Sequence, residues 1–292
     1  SVLQHQILTD KKVGEWLAAA AGEDLNDVEQ ANLREMTRQY QQASLLPESL
    51  VEAKSLAGSK CEHAWRTQRP ANDWQGFSAN LKEVVKLSRE EARLRAEAKG
   101  CSPYDALLDI FEPDMTSARL DVLFADMKSW LPDLLANVVD KQSRQTFVPP
   151  QGPFPTATQR ELGLEAMKML GFDFNGGRLD VSAHPFCGGV PEDVRITTRY
   201  DEDELLSALF GVIHETGHAR YEQNLPRAWA GQPVALARST AIHESQSLFF
   251  EMQLGRSEAF LKHLLPAVHA RFGSQAAFSE ENFIAWNQRV KP

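Results

Sequence analysis

Two histidines and a glutamate lie within five consecutive residues, His214-Glu215-Thr216-Gly217-His218. Residues four apart on an α-helix point the same way at ~5–6 Å, so both imidazoles can bind one Zn²⁺ at ~2.0–2.1 Å each. Glu215 is rotated off that line and can reach a metal-bound water without binding the metal. Since zinc lowers the pKa of such a water to ~7, the carboxylate can take its proton during attack on a carbonyl. This H-E-x-x-H pattern predicts metal-dependent hydrolysis; the alternative is a pair of buried, hydrogen-bonded histidines.

A third ligand is required, and Glu244 is the best candidate. Glu222 continues the line of the histidines, but it lies two turns from His214, ~12 Å along the axis. Glu244 follows His218 by 26 residues, which leaves room for a turn and a returning helix. Its neighbours are largely apolar, and a buried carboxylate needs a partner; the alternative is that Glu244 faces water. His243 points ~100° away, so we expect it to support a ligand rather than bind the metal.

Two helices are predicted to position these residues. Apolar and histidine side chains recur every four residues from Leu206 to His218 and define one inward face. The acidic run 201–204 is predicted to open this helix, where the helix dipole favours negative charge, and Pro226 ends it. The second helix is predicted over about 234–254.

The rest of the chain is also mostly helical in pattern. Helices are predicted over about 27–46, 48–69, 73–99, 117–139 and 158–170, and a strand over 194–200. We therefore predict a mainly α class, a large helical metallopeptidase fold with a small β-strand region before the H-E-x-x-H helix. We expect a single domain over 1–292, with a helical N-terminal part (1–146) and a metal-site part (147–292).

The amino-acid composition argues against some classes of binding partner. The 292 residues carry 40 acidic and 31 basic side chains, a net charge of −9, which argues against binding to nucleic acid or to an anionic membrane. Cys61, Cys101 and Cys187 are widely spaced and form no disulfide framework, as is typical of a reducing, cytoplasmic location. No stretch approaches the ~20 apolar residues of a membrane span.

Four ordered motifs resemble those of the carboxypeptidase Taq family, peptidase family M32. They are the H-E-x-x-H run 214–218, His243-Glu244-Ser245-Gln246, His184-Pro185-Phe186, and Asp193-Val194-Arg195-Ile196-Thr197. The resemblance implies a homodimeric metallocarboxypeptidase that uses Zn²⁺ or Co²⁺ and removes C-terminal residues of peptides with broad specificity. It assigns His214, His218 and Glu244 as ligands and Glu215 as the catalytic residue. His184, Asp193, Arg195, Thr197 and His243 are then candidates to contact the substrate or to support the site, with Arg195 paired to Asp193.

Family members are longer, at about five hundred residues. We expect the chain to begin inside the family's N-terminal region and to stop before two later motifs that bind the substrate carboxylate. A chain of this extent would bind zinc but lose most of its discrimination for a free C-terminus. Two alternatives follow: a thimet-type oligopeptidase, whose helix has a histidine where Tyr221 stands here, or an inert metal-binding or dimerisation fragment.

Overall fold

The computed structural model describes residues 2–290, which contain twelve α-helices and a three-stranded sheet. The helices are α1 (Val2–Leu8), α2 (Lys11–Ala20), α3 (Asp27–Ser44), α4 (Glu48–Gln68), α5 (Trp74–Lys99), α6 (Pro103–Phe111), α7 (Ser117–Ser143), α8 (Thr156–Met169), α9 (Leu205–Gln223), α10 (Thr240–Leu248), α11 (Glu258–Phe272) and α12 (Glu280–Asn287). The strands are β1 (Gly177–Val181), β2 (Cys187–Val190) and β3 (Asp193–Thr198). The predicted mainly α class, with a small β region before the motif helix, is confirmed. None of the helices between residues 2 and 290 combines the length and apolarity needed to span a membrane.

The chain divides into two compact units. One comprises residues 2–120 together with Ala228–Arg238, and the other Asp121–Arg227 together with residues 239–290. The candidate metal ligands and their neighbours on α9 and α10 all belong to the second unit. The single domain with parts meeting at residue 147 stays a prediction.

In the first unit, α3 binds the segment that follows α9 in sequence. The backbone N–H of Val234 donates to the side-chain oxygen of buried Asn32 at 3.1 Å. Arg238 donates to the buried carboxylate of Glu35 at 2.8 Å. Within this segment only Pro233–Ala235 is helical, as one short 3-10 turn, and the α-helix α10 begins at Thr240. The helix predicted from about residue 234 was therefore wrong at its start.

In the second unit, α9 packs between two hydrophobic clusters. Leu209 and Ile213 contribute to the larger cluster, which also contains Leu261 of α11. Val212 and Ala219 contribute to the smaller cluster, which includes the apolar face of the sheet. Complete burial of such side chains stabilises a fold by about 1.5–3 kcal/mol each. Packing on two sides thus fixes the position of α9, and with it the positions of the two motif histidines.

The sheet that supports α9 has the order β1-β3-β2. β3 pairs in parallel with β1 and antiparallel with β2, and Ile196 is opposite both Leu179 and Cys187. Val194 and Ile196 of β3 are completely buried, whereas Arg195 between them is exposed. A strand is thus present where one was predicted, although it ends at Thr198 and not at residue 200, and the alternation of buried and exposed side chains stops at Thr197.

Helices α9 and α10 approach each other closely at Gly217. A Cβ atom at this position would lie 2.6 Å from the Cα atom of Ser247 and 2.9 Å from the carbonyl oxygen of Gln246. Both distances are well below van der Waals contact and involve the backbone, which cannot rotate away. The spacing of the two helices therefore requires glycine at position 217.

Replacing Gly217 with alanine should push α9 and α10 apart or strain them. We expect the free energy of unfolding to fall by about 1–3 kcal/mol, as for other overpacked sites, and the midpoint of thermal unfolding to drop accordingly. The matched control is Gly58→Ala in α4, where an added Cβ meets nothing within 4 Å. That change should stabilise the helix by about 0.5–1 kcal/mol. Equal thermal midpoints for Gly217→Ala and the wild type would contradict the close approach.

Candidate metal centre

The two motif histidines and Glu244 converge at the surface where α9 faces α10. His214 and His218 lie one turn apart on α9, with ring centroids 5.0 Å apart. His218 Nε2 lies 3.3 Å from Glu244 Oε2, and His214 Nε2 lies 3.8 Å from Glu244 Oε1. One ligand atom from each of the three residues lies within 4.8 Å of the other two. The side chain of Glu244 is 48% exposed, so the cluster is open on one side.

This arrangement meets the requirements of a catalytic zinc site. Such sites have three protein ligands and an open fourth position, and adjacent ligand atoms of a tetrahedral Zn²⁺ lie roughly 3.4 Å apart. The separations of 3.3 and 3.8 Å are close to that value. Two imidazoles and one carboxylate are also a donor set that zinc commonly takes. The residues therefore fit the metal that the motif implies.

Glu215 lies beside this cluster but is not one of its three converging ligands. Its side chain is buried, and its Oε2 atom has no hydrogen-bond partner among the described residues. Burial raises the pKa of Glu215 to about 7, although nearby His214 opposes the shift. A buried oxygen without a partner costs free energy unless a water or a ligand binds it. A carboxylate with a pKa near neutrality can both accept and release a proton at physiological pH.

The two histidines differ in their electrostatic environments. Burial, followed by the proximity of His243 and His214, lowers the pKa of His218 to about 4. His218 is therefore neutral at pH 7, as a metal ligand must be. The hydrogen bond with Glu251 raises the pKa of His214 above its usual value. His214 therefore holds a proton more tightly than usual. A metal ion that binds His214 would have to displace this proton, so we expect metal binding to depend on pH.

His214 and His218 each have a side-chain contact that the sequence did not predict, or predicted only in part. His214 Nδ1 lies 3.0 Å from Glu251 Oε2, and Glu251 also accepts a hydrogen bond from Arg256 at 3.1 Å. Glu251 follows Glu244 by seven residues, two helical turns, and this spacing could have revealed it. His243, expected to support a ligand, contacts His218 Nδ1 at 2.6 Å and Glu222 Oε1 at 2.7 Å.

Arg195 and Asp193 form the expected pair on β3. Arg195 donates two hydrogen bonds to Asp193 Oδ2, from Nη2 at 2.6 Å and from Nε at 3.0 Å. These bonds hold the pKa of Asp193 below its usual value. Both side chains are about half exposed. Their contact with substrate stays a prediction.

His184 lies in the connection between β1 and β2. Thr197 of β3 holds this connection in place through hydrogen bonds. The hydroxyl of buried Thr197 bonds Ser182 Oγ at 2.7 Å and accepts from the backbone N–H of Phe186 at 3.1 Å. The carbonyl oxygen of His184 accepts a hydrogen bond from Ser182, while His184 itself is exposed. The H-P-F turn is thus tied to β3 through Thr197.

Cys187 lies near Glu215 in an environment that disfavours its thiolate. Burial, together with the nearby carboxylates of Glu215 and Glu222, raises the pKa of its thiol to about 12. The thiolate, which is the reactive form, is therefore almost absent at neutral pH.

Comparison with known proteins identifies the chain's relatives. A profile of the carboxypeptidase Taq (M32) metallopeptidase family matches residues 1–292. The chain belongs to the M32 family. Thermostable carboxypeptidase 1 of Thermus thermophilus is 40% identical over 303 residues, covering 99% of this chain and 59% of that protein. Carboxypeptidase 1 of Bacillus subtilis is 37% identical over 239 residues, covering 82% of this chain and 47% of that protein.

Solved M32 structures share the fold. Metallocarboxypeptidase 1 of Trypanosoma cruzi superposes with a TM-score of 0.89 at 49% sequence identity, covering 99% of this chain and 58% of that chain. The match thus covers between 47% and 59% of the length of these M32 relatives. Their names are those of carboxypeptidases, and the expected membership of the family is confirmed.

The raised pKa of Glu215 predicts how stability depends on pH once metal is removed with a chelator. The folded state binds the Glu215 proton more tightly than the unfolded state, whose pKa is near 4.5. Below pH 4.5 the carboxyl group is protonated in both states, and its burial does not lower the free energy of unfolding. As the pH rises from 4.5 through about 7, the unfolded state loses the proton first and the free energy of unfolding falls. Glu215→Gln does not titrate, so its free energy of unfolding relative to wild type should rise by roughly 2–3 kcal/mol between pH 5 and pH 8.

Urea unfolding of both proteins with chelator at the two pH values measures this change. Glu161→Gln, at an exposed position of α8, is the control and should show no such dependence. A pH-independent difference between Glu215→Gln and wild type would show that Glu215 titrates normally.

Proposed function

We propose that the full-length protein containing this chain is a zinc-dependent carboxypeptidase. The observation that carries the proposal is the convergence of His214, His218 and Glu244 beside a buried Glu215 with an unpartnered oxygen. Membership of the M32 family and the names of its relatives support the same activity. Co²⁺ is a second metal with which the site is compatible.

The chain's own residues have distinct tasks in this proposal. His214, His218 and Glu244 hold the metal, which when bound supplies a positive charge that polarises the scissile carbonyl and acidifies water. Glu215 takes the proton from the attacking water and passes it to the departing amine. Burial raises the pKa of Glu215, which favours a carboxylate that can both accept and release a proton, since an effective acid–base catalyst has a pKa near the working pH. Its unpartnered Oε2 leaves an acceptor free for that water.

The proposed substrates are peptides with a free C-terminal carboxylate, cleaved with broad side-chain specificity. The support comes from the M32 family and not from a pocket in this chain. Asp193 accepts hydrogen bonds from Nε and Nη2 of Arg195 and offsets its charge, which weakens Arg195 as a partner for the substrate's carboxylate. We therefore expect another cation to bind that group, most effectively an arginine with its paired donors.

The proposed setting is a homodimer in the cytoplasm, without nucleic acid or membrane partners. The family resemblance supports the dimer. Three cysteines without disulfide bonds and the acidic net charge of −9 agree with the location and with the absence of those partners.

Glu215→Gln should leave metal binding intact and remove activity in the full-length protein. The amide has nearly the same shape but cannot accept the water's proton, so we expect kcat to fall by about 10²–10⁴-fold. The measurement is turnover of one peptide acid alongside zinc content, with Glu161→Gln as the control. A variant with full zinc content and more than a few per cent of wild-type turnover would assign the proton transfer to another group.

The full-length protein should act on peptide acids and not on the corresponding C-terminal amides. Removing the substrate's carboxylate eliminates a contact that positions the scissile bond, and such losses cost on the order of 10²-fold in rate or more. Hydrolysis of a matched acid and amide, with products identified by mass spectrometry, tests this expectation. Internal cleavage of the amide at the rate of the acid would favour a thimet-type oligopeptidase.

A further inference from the structure

Each candidate ligand imidazole has a second ring nitrogen, and both of these nitrogens are held by neighbouring side chains. His214 Nδ1 lies 3.0 Å from Glu251 Oε2, and His218 Nδ1 lies 2.6 Å from His243 Nδ1. A neutral histidine that binds a metal through Nε2 must carry its proton on Nδ1. The partner of Nδ1 therefore decides whether the ligand has the correct tautomer and orientation.

The proton positions around His218 follow from counting donors and acceptors. If His218 Nε2 faces the metal, its Nδ1–H donates to His243 Nδ1, which accepts. His243 then carries its own proton on Nε2 and donates it to Glu222 Oε1 at 2.7 Å. With a neutral His243 in the opposite tautomer, a bare Nε2 would face a carboxylate, and neither atom could donate. The three side chains thus permit one consistent direction of hydrogen bonding.

Packing keeps this chain of contacts in place. His218 and Glu222 lie one turn apart on α9, and His243 of α10 bonds to both. The ring of Tyr221 packs edge-on against His243, with centroids 4.9 Å apart and an interplanar angle of 77°. The side chains of His243 and Glu222 are only 22% and 24% exposed. A largely desolvated bond to a carboxylate is stronger than one between neutral groups.

His214 is held by a separate arm. Glu251 accepts from Arg256 Nη2, and Arg256 Nη1 donates to the carbonyl oxygen of Asn287 at 2.9 Å. The Arg256 guanidinium also lies over the ring of Phe210, 4.1 Å from its centroid. This arm shares no residue with Glu222 and His243, so the two arms can be tested independently.

We propose that Glu222 and His243 form a positioning relay that fixes His218 as the Nδ1-protonated tautomer with Nε2 directed at the metal. The proposal rests on the metal centre proposed above and adds two residues that bind neither the metal nor the substrate. Glu251 performs the same task for His214 directly. One histidine is therefore held by a carboxylate and the other by a carboxylate acting through an imidazole.

The relay is tested by the zinc dissociation constant of the full-length protein, measured by competition with a chelator. Glu222→Leu and His243→Phe should each raise this constant about 10–100-fold, the usual effect of removing a partner of a ligand histidine. Glu161→Leu, the same change at an exposed position of α8, should leave it unchanged. Phe keeps an aromatic ring against Tyr221, and Leu is close in size to Glu222 but has no hydrogen-bond acceptor.

Double variants separate a relay from a general loss of structure. Glu222→Leu combined with His243→Phe should weaken zinc binding no more than the stronger single change, because either change breaks the same chain of bonds. Glu222→Leu combined with Glu251→Leu should show the product of the two single effects, because these residues act on different histidines. If His243→Phe fails to fold, the Glu222→Leu and Glu251→Leu pair still provides the comparison.

The tautomers are read directly from ¹⁵N spectra of the histidine rings in the zinc-bound protein. We expect the proton of His218 on Nδ1 and that of His243 on Nε2. Unchanged zinc affinity in both single relay variants, independent effects in their double variant, or a His218 proton on Nε2 would each overturn the relay while leaving the metal centre in place. Failure of the wild-type protein to bind one zinc ion would instead overturn the metal centre itself.

Discussion

The contact between the backbones of α9 and α10 at Gly217 is the constraint on which the site depends. Any Cβ at that position would meet the Cα atom of Ser247 at 2.6 Å, so the helices can be this close only with glycine there. Thr216 and Ser247 flank the contact, and both hydroxyls donate to carbonyl oxygens of their own helices, at 2.6 and 2.7 Å. Their burial therefore leaves neither hydroxyl without a partner. The close approach brings Glu244 and His243 of α10 to the histidines of α9.

Charge explains why such a site favours a cation. Four glutamates, Glu215, Glu222, Glu244 and Glu251, lie in or beside a cluster of three histidines. Arg256 compensates Glu251, and burial raises the pKa of Glu215 to about 7, which reduces its negative charge. A dication would add two positive charges where two imidazoles and a carboxylate converge. Metal binding should consequently stabilise the second unit, because a ligand that binds only the folded state shifts the equilibrium towards it.

The parts of the site that sequence could predict are those governed by helical periodicity. The four-residue spacing of His214 and His218 places them on one face, and the distance to Glu244 along the chain permits a returning helix. The seven-residue spacing from Glu244 marks Glu251 as a candidate, but it does not indicate the π-helical segment Phe249–Leu254 from which Glu251 contacts His214. The tie of Thr197 to the H-P-F turn and the link of His243 to Glu222 also depend on packing between elements distant in sequence.

The start of α10 and the start of α9 show why element boundaries were harder to predict. Residues from Val234 to Arg238 have helix-compatible side chains, yet Asn32 and Glu35 of α3 bind this segment, so tertiary contacts override local preference. The acidic run before α9 was expected within the helix, but α9 begins at Leu205, and the Glu204 carboxylate caps it by accepting from the N–H of Ser207 at 2.6 Å.

X-ray absorption at the zinc K-edge tests the central claim most directly, because it reports the type, number and distance of the atoms bound to the metal. For the full-length protein loaded with one equivalent of zinc, the account predicts two imidazole nitrogens and carboxylate or water oxygens at ~2.0–2.2 Å, with no sulfur. His218→Ala should reduce the imidazole signal to one. A sulfur shell near 2.3 Å, or an imidazole count that His218→Ala leaves unchanged, would contradict a centre built from His214, His218 and Glu244.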